Sequence, residues 1–496
     1  MSPLLANRWL VALPPIWLVA AGALLSLAVI LAAWGLLALV RPRLAAEAKT
    51  SLGDGFAGPL AWLLAILSLL AIALTPLVPV GAITRSLSRF TASDRFERTV
   101  TVPAGAKLEA IALDLRPQEL WSIELSAPAA LVVRTQQPIE GFALAKVPDV
   151  DLVAGTPWTW TRGSSEATPF LGARALLEAT NTGSEPVPLS IRARLAPEFP
   201  EAGILPWTMI AVLGLAAVYY LFRLVPRRVA AVASATTKEA IGQPVFAVAL
   251  AIGAVLLLSF IVIPYNTFGE DVKMLKDSGL TLIKVLALLV VVWTASVAVA
   301  EEIEGRTALT VLSKPLTRVQ FVLGKFAGLV LVALLVFLVL GTILMATTSL
   351  KVVYDAREGA KLDPVWRDCA QEMITVVPGL VLALLETILL AAVSLAVSTR
   401  LSMVPNLVIC FTVYALGHLV PLIVQSSVGK LPIVRFVGQL FATILPVLEH
   451  FTIEAAVVGG VPVPWSYLAW AALYAALYSA VALLVALVLF QDRDLA

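Results

Sequence analysis

The sequence predicts an all-α polytopic membrane protein of about nine transmembrane helices, interrupted by an extracytoplasmic β-sandwich. Three observations carry that expectation. The 496 residues are 60% hydrophobic and 14% charged, with a mean hydropathy of +0.94, where soluble chains are roughly 45–50% apolar. Nine apolar runs reach the length of about 20 residues that a helix needs to cross a hydrocarbon core of roughly 30 Å. Between the second and third runs, over residues 85–203, the apolar period drops to two. A formal net charge of +2 leaves no basic footprint for nucleic acid, so none is expected as a partner.

The runs cover residues 16–40, 59–83, 204–225, 245–264, 281–300, 322–347, 376–398, 403–424 and 465–490. The first exceeds the roughly 7–15-residue apolar core of a signal peptide and is followed by Arg41-Pro42-Arg43, so it reads as a retained helix. A tenth stretch, 433–448, carries Arg435 and Gly438 and meets Pro446; it reads as re-entrant or interfacial. Two cysteines, Cys369 and Cys410, are too few for a disulfide framework, and Cys410 lies within an apolar run as an inert thiol. The chain therefore divides into two N-terminal spans (1–84), the β-rich insert (85–203), a third span and linker (204–235), and a six-span segment (236–496).

Within the insert, Trp121, Ile123 and Leu125 alternate with Ser122, Glu124 and Ser126. Trp158 and Trp160 alternate with Thr159 and Thr161, and Val187, Leu189, Ile191, Ala193 and Leu195 alternate with polar neighbours. These are half-buried strands. Asn181-Thr182-Gly183-Ser184 supplies a turn, and no helix-period segment intervenes, so a small antiparallel sandwich is expected.

Orientation follows from Lys and Arg. With the C-terminus inside, short inner loops hold thirteen and short outer loops nine, which puts the N-terminus and the insert outside.

The most informative segment joins the fifth and sixth spans. Glu301, Glu302 and Glu304 occupy the first turn of a short surface helix, Leu309 and Leu312 share one face at i, i+3, and Pro315 ends it. Thr317-x-x-Gln320 is a capping box for the next span. Such a knuckle is suited to docking into another protein; an ordinary solvated hairpin is the alternative.

This segment, with Gly305, Arg306, Ser313-Lys314-Pro315, Arg318 and Gly324-Lys325, resembles the loop between core spans two and three of ABC-2-type exporter permeases. The resemblance extends over residues 236–496. Thr236, Thr237, Lys238, Glu239 and Ala240 resemble the family's amphipathic connecting helix, and the closing residues Phe490-Gln-Asp-Arg-Asp-Leu495 resemble its C-terminus. Larger relatives associated with gliding motility or surface assembly carry extra pieces comparable to the first three spans and the insert. The resemblance implies a six-helix ABC-2 core, a multi-pass subunit of a bacterial cytoplasmic (inner) membrane. It implies a coupling helix at residues 301–315 against a separate ABC ATPase subunit that carries ATP and Mg. It implies work as a homodimer or heterodimer with a second permease, among membrane lipids, with an extracytoplasmic partner for the β domain as a further expectation.

The sequence agrees in lacking a phosphate-binding Gly-x-x-x-x-Gly-Lys-Ser/Thr loop, so no cofactor and no catalytic residue is assigned to this chain. The alternatives are an ATPase-coupled scaffold without transport and a membrane-embedded enzyme such as a glycosyltransferase. The enzyme rests on Asp149-Val150-Asp151 as a metal-holding pair; nucleotide sugars are not available outside. With only His418 and His450, no zinc-protease set exists, and no Gly-x-Ser-x-Gly elbow occurs.

Charges inside spans are costly unless paired or hydrated. Lys284, one turn from the outer end of its run, is expected to snorkel. Glu386 lies fifteen residues before Leu401, and His418 sixteen after Ser402. About that turn, antiparallel helices rising about 1.5 Å per residue bring both to about the same depth, as an intramembrane polar pair. Glu449 and His450 are expected at a solvated loop end.

Overall fold

The computed structural model describes residues 9–43, 46, 55–90, 94–134, 150–162, 164, 170, 175–224, 227–263, 270–301, 316–359, 363–425, 436, 438, 440, 445–452 and 463–491. Two units emerge: Met1–Val78 with Ile204–Ala496, which is helical, and Pro79–Gly203, which carries the strands.

In the helical unit α1 (Leu13–Val40) and α2 (Ala57–Leu74) precede the strand-bearing unit, whose own helix is α3 (Val80–Arg89). After it come α4 (Ile204–Leu224), α5 (Arg227–Gly242), α6 (Pro244–Ser259), α7 (Asp271–Ala295), α8 (Arg318–Glu358), α9 (Trp366–Ile374), α10 (Val376–Ser398), α11 (Met403–Gln425) and α12 (Trp465–Gln491). Among the described residues seven helices are long and apolar enough to cross a membrane, or eight if the bent pair α5–α6 is one span. The fold is that of a helical, multi-pass membrane protein with a β domain.

The nine expected runs differ from these helices in four places. The second was expected to reach residue 83; α2 and the turn after it end at Leu77, because Pro76 and Pro79 interrupt the backbone ladder. Ile83 instead lies buried in α3, within the other unit. The run 245–264 yields only the 16 residues of α6, about 24 Å of helix, which is short of a full crossing. It meets α5 at an angle of 64°, at Gly242-Gln243-Pro244. Apolar content alone did not reveal that elbow. The run 281–300 starts ten residues early, since α7 begins at Asp271, and it ends at Ala295. Conversely, α8 runs for 41 residues, about 60 Å, far beyond the expected 322–347.

Small residues let these helices approach. A Cβ built on Gly324 would lie 2.5 Å from Val232 Cβ, and one on Gly328 2.7 Å from Thr236 Cβ and 3.0 Å from the Ala233 carbonyl. This is the small-residue interface expected where hydrophobic burial gives no advantage over lipid. It seats α5 across the first turns of α8, and Thr237 Oγ1 adds a hydrogen bond to the Gly328 carbonyl at 3.3 Å. The N-terminal helices are tied similarly: Trp17 Nε1 donates to the Ala71 carbonyl at 3.0 Å, and Ser349 Oγ to the Ala12 carbonyl at 2.8 Å.

The strand-bearing unit is two four-stranded sheets, β1-β8-β3-β6 and β2-β7-β4-β5 in spatial order, with every strand pair antiparallel. The strands are β1 (Arg95–Val102), β2 (Glu109–Leu113), β3 (Leu120–Ser126), β4 (Leu131–Arg134), β5 (Val150–Leu152), β6 (Trp158–Thr161), β7 (Ala175–Thr180) and β8 (Val187–Leu195). Along β8 the alternation is strict, with Val187, Leu189, Ile191, Ala193 and Leu195 buried. One side chain departs from the expected pattern. Trp121 is exposed and Leu120 takes the inner position, because the β3–β8 register shifts between Leu120 and Ser122. The expected turn forms around buried Asn181, whose Nδ2 reaches the Val102, Pro103 and Glu185 carbonyls while Oδ1 accepts from Gly183 N at 2.9 Å. That Asx geometry closes the β7–β8 connection.

Substituting Gly328→Val should unseat α5 and cost about 1–3 kcal/mol, the usual penalty for overpacking. Thermal unfolding of the detergent-purified chain measures it, and an unchanged midpoint would mean that α5 does not depend on this contact.

Candidate functional site

The segment from Glu302 to Pro315 lies outside the described residues, and with it Glu304, Gly305, Arg306, Leu309, Leu312 and Lys314. What frames it is described. At its near end α7 changes register into a π-helical turn, Ser296–Glu301, which carries the backbone of Glu301 into the loop. Single π turns inside α-helices are frequent at functional positions. At its far end the Thr317–Gln320 capping box forms: Gln320 N donates to Thr317 Oγ1 and Thr317 N to Gln320 Oε1, both at 3.2 Å.

Arg318 makes intramolecular contacts. Its Nη1 donates to the Gln491 carbonyl at 3.0 Å and its guanidinium lies over the Phe490 ring at 5.8 Å, while Phe490 stacks on Phe321 at 5.6 Å. A cation on the last carbonyls of α12 suits the negative end of that helix. The start of α8 and the end of α12 are thereby joined directly beside the loop. Lys325 is buried, with its ammonium over the Phe321 ring at 5.5 Å.

In α5, Thr236 is buried against Gly328, whereas Lys238 and Glu239 are exposed on the opposite face. The helix is thus amphipathic and sits within about ten residues of the start of α8, some 15 Å along its axis.

The second polar region lies deep among α7, α10 and α11. Glu386 on α10 has no solvent exposure. Its Oε1 lies 2.8 Å from His418 Nε2 on α11, and its Oε2 lies 3.1 Å from Lys284 Nζ on α7. Lys284 also stands over the Tyr414 ring at 5.3 Å, and Tyr414 meets the His418 ring edge-on at 4.9 Å. The expectation that Lys284 snorkels is therefore overturned. Its helix begins at Asp271 rather than residue 281, which puts Lys284 thirteen residues, about 20 Å, from that end. Turning inward onto a carboxylate then costs less than reaching for water.

A third cluster escaped sequence reasoning. Asn406 of α11, also without exposure, donates through Nδ2 to Ser296 Oγ at 2.8 Å and Ser394 Oγ at 3.0 Å, and Cys410 Sγ donates to its Oδ1 at 3.3 Å. The signal was present: Asn406, Cys410, Tyr414 and His418 recur every four residues, a polar stripe down one side of an apolar helix. Ser296 opens the π turn, so this tie anchors the base of the loop.

Two further buried lysines are at the other end of the bundle. Lys351 Nζ lies 3.4 Å from Asp271 Oδ2 and donates to the Ile263 carbonyl at 2.8 Å, just beyond the end of α6. Lys276 is paired with Glu372 and donates to Thr375 Oγ1 at 2.6 Å. Glu449 and His450 lie in a short turn in which Leu448 and Phe451 are buried while Glu449 is half-buried and His450 exposed, as expected of a solvated end, and Tyr467 Oη donates to the His450 carbonyl at 2.7 Å. Of the tenth stretch, 433–435, 437, 439 and 441–444 lie outside the described residues. Asp149 does too, while Asp151 is exposed on β5. Among the described residues no group of three or more His, Cys, Asp or Glu side chains could hold a metal.

The chain matches no family model and no curated protein.

Replacing Glu386 with Leu should cost about 3–5 kcal/mol, because it strands the Lys284 ammonium without its counter-charge. Glu386→Leu combined with Lys284→Met should recover at least half of that loss, since apolar groups can replace a buried ion pair at little cost. Thermal unfolding of the two variants in detergent decides; equal losses would mean that the ion pair contributes nothing to the fold.

Proposed function

We propose that this protein is the permease subunit of an ABC exporter, coupling hydrolysis by a separate ATPase to transport across the cytoplasmic membrane. The observation that carries the reading is the segment from Glu301 to Lys325, with its acidic first turn, Ser313-Lys314-Pro315, Arg318 and Gly324-Lys325. The surroundings support it. The sequence expects an acidic helical turn there with Leu309 and Leu312 on one face, which is what a docking groove on an ATPase would receive, and the described residues at both ends of the segment make defined contacts. The π turn fixes its entry, and the capping box and the Arg318–Gln491 contact fix its exit. A push on the loop would thus reach α7, α8 and α12 together.

The amphipathic α5 with its 64° elbow into α6 adds to the reading. An exposed polar face and a buried face on α8 suit a helix lying along the membrane surface, as a connecting helix would. In this reading the chain works as a dimer, since two ATPase subunits need two transmembrane halves. It hydrolyses nothing itself, and the loop with α5 faces the cytoplasm. The β domain then stands on the outer side.

Purification of the tagged full chain from its own cells tests the proposal. An ABC ATPase should co-purify in near-stoichiometric amount and be lost, by tenfold or more, with Leu309→Asp, because a carboxylate buried without a partner costs several kcal/mol. Co-purification at wild-type yield with Leu309→Asp would refute the docking role, and tight nucleotide binding by the chain alone would refute the division of labour.

Sidedness has its own test. A cysteine at Ser165 should be labelled by an impermeant thiol reagent in intact cells once any outer membrane is permeabilised. Protection until the inner membrane is opened would invert the topology.

A further inference from the structure

We propose that the C-terminal ends of α1 and α4, with the first turn of α5, form a binding site for an anionic phospholipid. Arginines hold the headgroup phosphate, and the second half of α1 receives the acyl chains. The inference rests on the geometry and charge of these helices and stands apart from the exporter reading.

α1 and α4 run side by side in the same direction. A Cβ built on Gly22 would lie 2.7 Å from Thr208 Cβ and 2.9 Å from the Leu205 carbonyl oxygen. Four residues further along α1, Ser26 Oγ donates to the Met209 carbonyl at 3.5 Å. From that contact Arg41 is fifteen residues on from Ser26 and Arg223 fourteen on from Met209, about 21–22 Å in each case. The two helices thus end at one level. Arg41 and Arg43 stand there just past α1, Arg223 in the last turn of α4, and Arg227 and Arg228 in the first turn of α5.

Charge at this level is of one sign. The segment between α1 and α2 contributes Glu47, Lys49 and Asp54 to the sequence. Even with both of those carboxylates and the lysine counted, residues 41–55 and 223–228 carry an excess of four positive charges, in a chain whose formal charge is only +2. Lys238 and Glu239, further along α5, cancel. Basic groups gathered at the end of membrane-spanning helices are attracted to anionic headgroups. Arginine suits them best, because its planar fork of donors matches phosphate oxygens in pairs. Arg223 is half-buried one turn after buried Tyr219, which stacks with Phe56 at 5.2 Å, so at least one guanidinium of the set is held in place by packing.

Above the arginines, toward the middle of the helix, α1 lacks protein cover. Its first half buries Trp17, Leu18, Ala20, Ala23 and Ser26, whereas from Leu27 to Val40 no residue is buried. Those 14 residues include no charged or hydroxyl side chain. They rise about 21 Å, enough to line the roughly 15 Å of hydrocarbon in one leaflet. A free phosphate would use the arginines and leave this surface idle. A second copy of the chain could cover the surface, but copies inserted in one membrane share a direction, so it would bring the same five arginines against these five. An amphiphile with an anionic head and apolar tails answers both features at once.

Native mass spectrometry of the detergent-purified full chain, titrated with phosphatidylglycerol or with phosphatidylcholine of identical acyl chains, tests the site. Phosphatidylglycerol should bind about tenfold or more tightly. Arg41→Gln combined with Arg43→Gln should reduce that preference by about threefold or more, since each arginine near an anionic headgroup is worth about a factor of five. Lys107→Gln combined with Arg194→Gln removes the same charge from exposed positions of the strand-bearing unit and should leave the preference unchanged. Should the first variant fail to fold, Arg227→Gln with Arg228→Gln makes the same comparison. Equal binding of the two lipids, an unchanged preference in the arginine variant, or an equal loss in the control overturns the site. Displacement of phosphatidylglycerol by excess inorganic phosphate would make the ligand a free anion, and disulfide cross-linking of two copies through Leu36→Cys would make it a second chain. Either result overturns the lipid assignment.

Discussion

Glu386 has no exposure and is the one charged residue of its helix, so its carboxylate dictates what its neighbours must be. An isolated charge there would cost several kcal/mol, and the relief has to come from inside the bundle. It comes from two directions, Lys284 of α7 and His418 of α11, so one side chain holds three helices in register. The requirement propagates. The helix bearing Lys284 extends back to Asp271, which brings Asp271 to Lys351 at the end of the bundle away from the loop and, through Lys351, closes the end of α6.

The same three helices are tied a second time, nearer the loop. Asn406 links Ser296 and Ser394, twelve residues from Lys284 on α7 and eight from Glu386 on α10. At 1.5 Å per residue the two ties lie about 12–18 Å apart. Buried polar contacts at two levels resist both sliding and rotation, which apolar packing in lipid resists poorly because lipid tails are as apolar as leucine. α7, α10 and α11 are thus built to move together, and the lower tie begins at the residue where α7 leaves α-helical register.

Elsewhere shape replaces charge. The α5–α8 crossing depends on Gly324 and Gly328, where any side chain would strike Val232 or Thr236. In the strand-bearing unit, where water is available, the ordinary rule returns. Apolar side chains of both sheets fill one interior, and the buried amide of Asn181 satisfies carbonyls that the turn leaves over. Bundle and sandwich therefore rest on different physics within one chain: local close approach and polar ties in one, hydrophobic burial in the other.

The sequence by itself determined the class of fold. Apolar runs force helix, because backbone polar groups in lipid can be satisfied only within the segment, and a period of two in β8 forces a strand with one wet face. It also determined the Thr317 cap and the Asn181 turn, since both are local hydrogen-bond patterns between residues two to four apart, and it made the common depth of Glu386 and His418 legible from their distances to one turn. The tertiary structure decided what depends on neighbours far along the chain. Helix ends moved because prolines and packing, more than hydropathy, set where α2 and α6 stop. Trp121 turned outward because register is a property of the strand pair, not of β3 alone. Lys284 turned inward because the partner that makes burial tolerable is 102 residues away in sequence and 3.1 Å away in space.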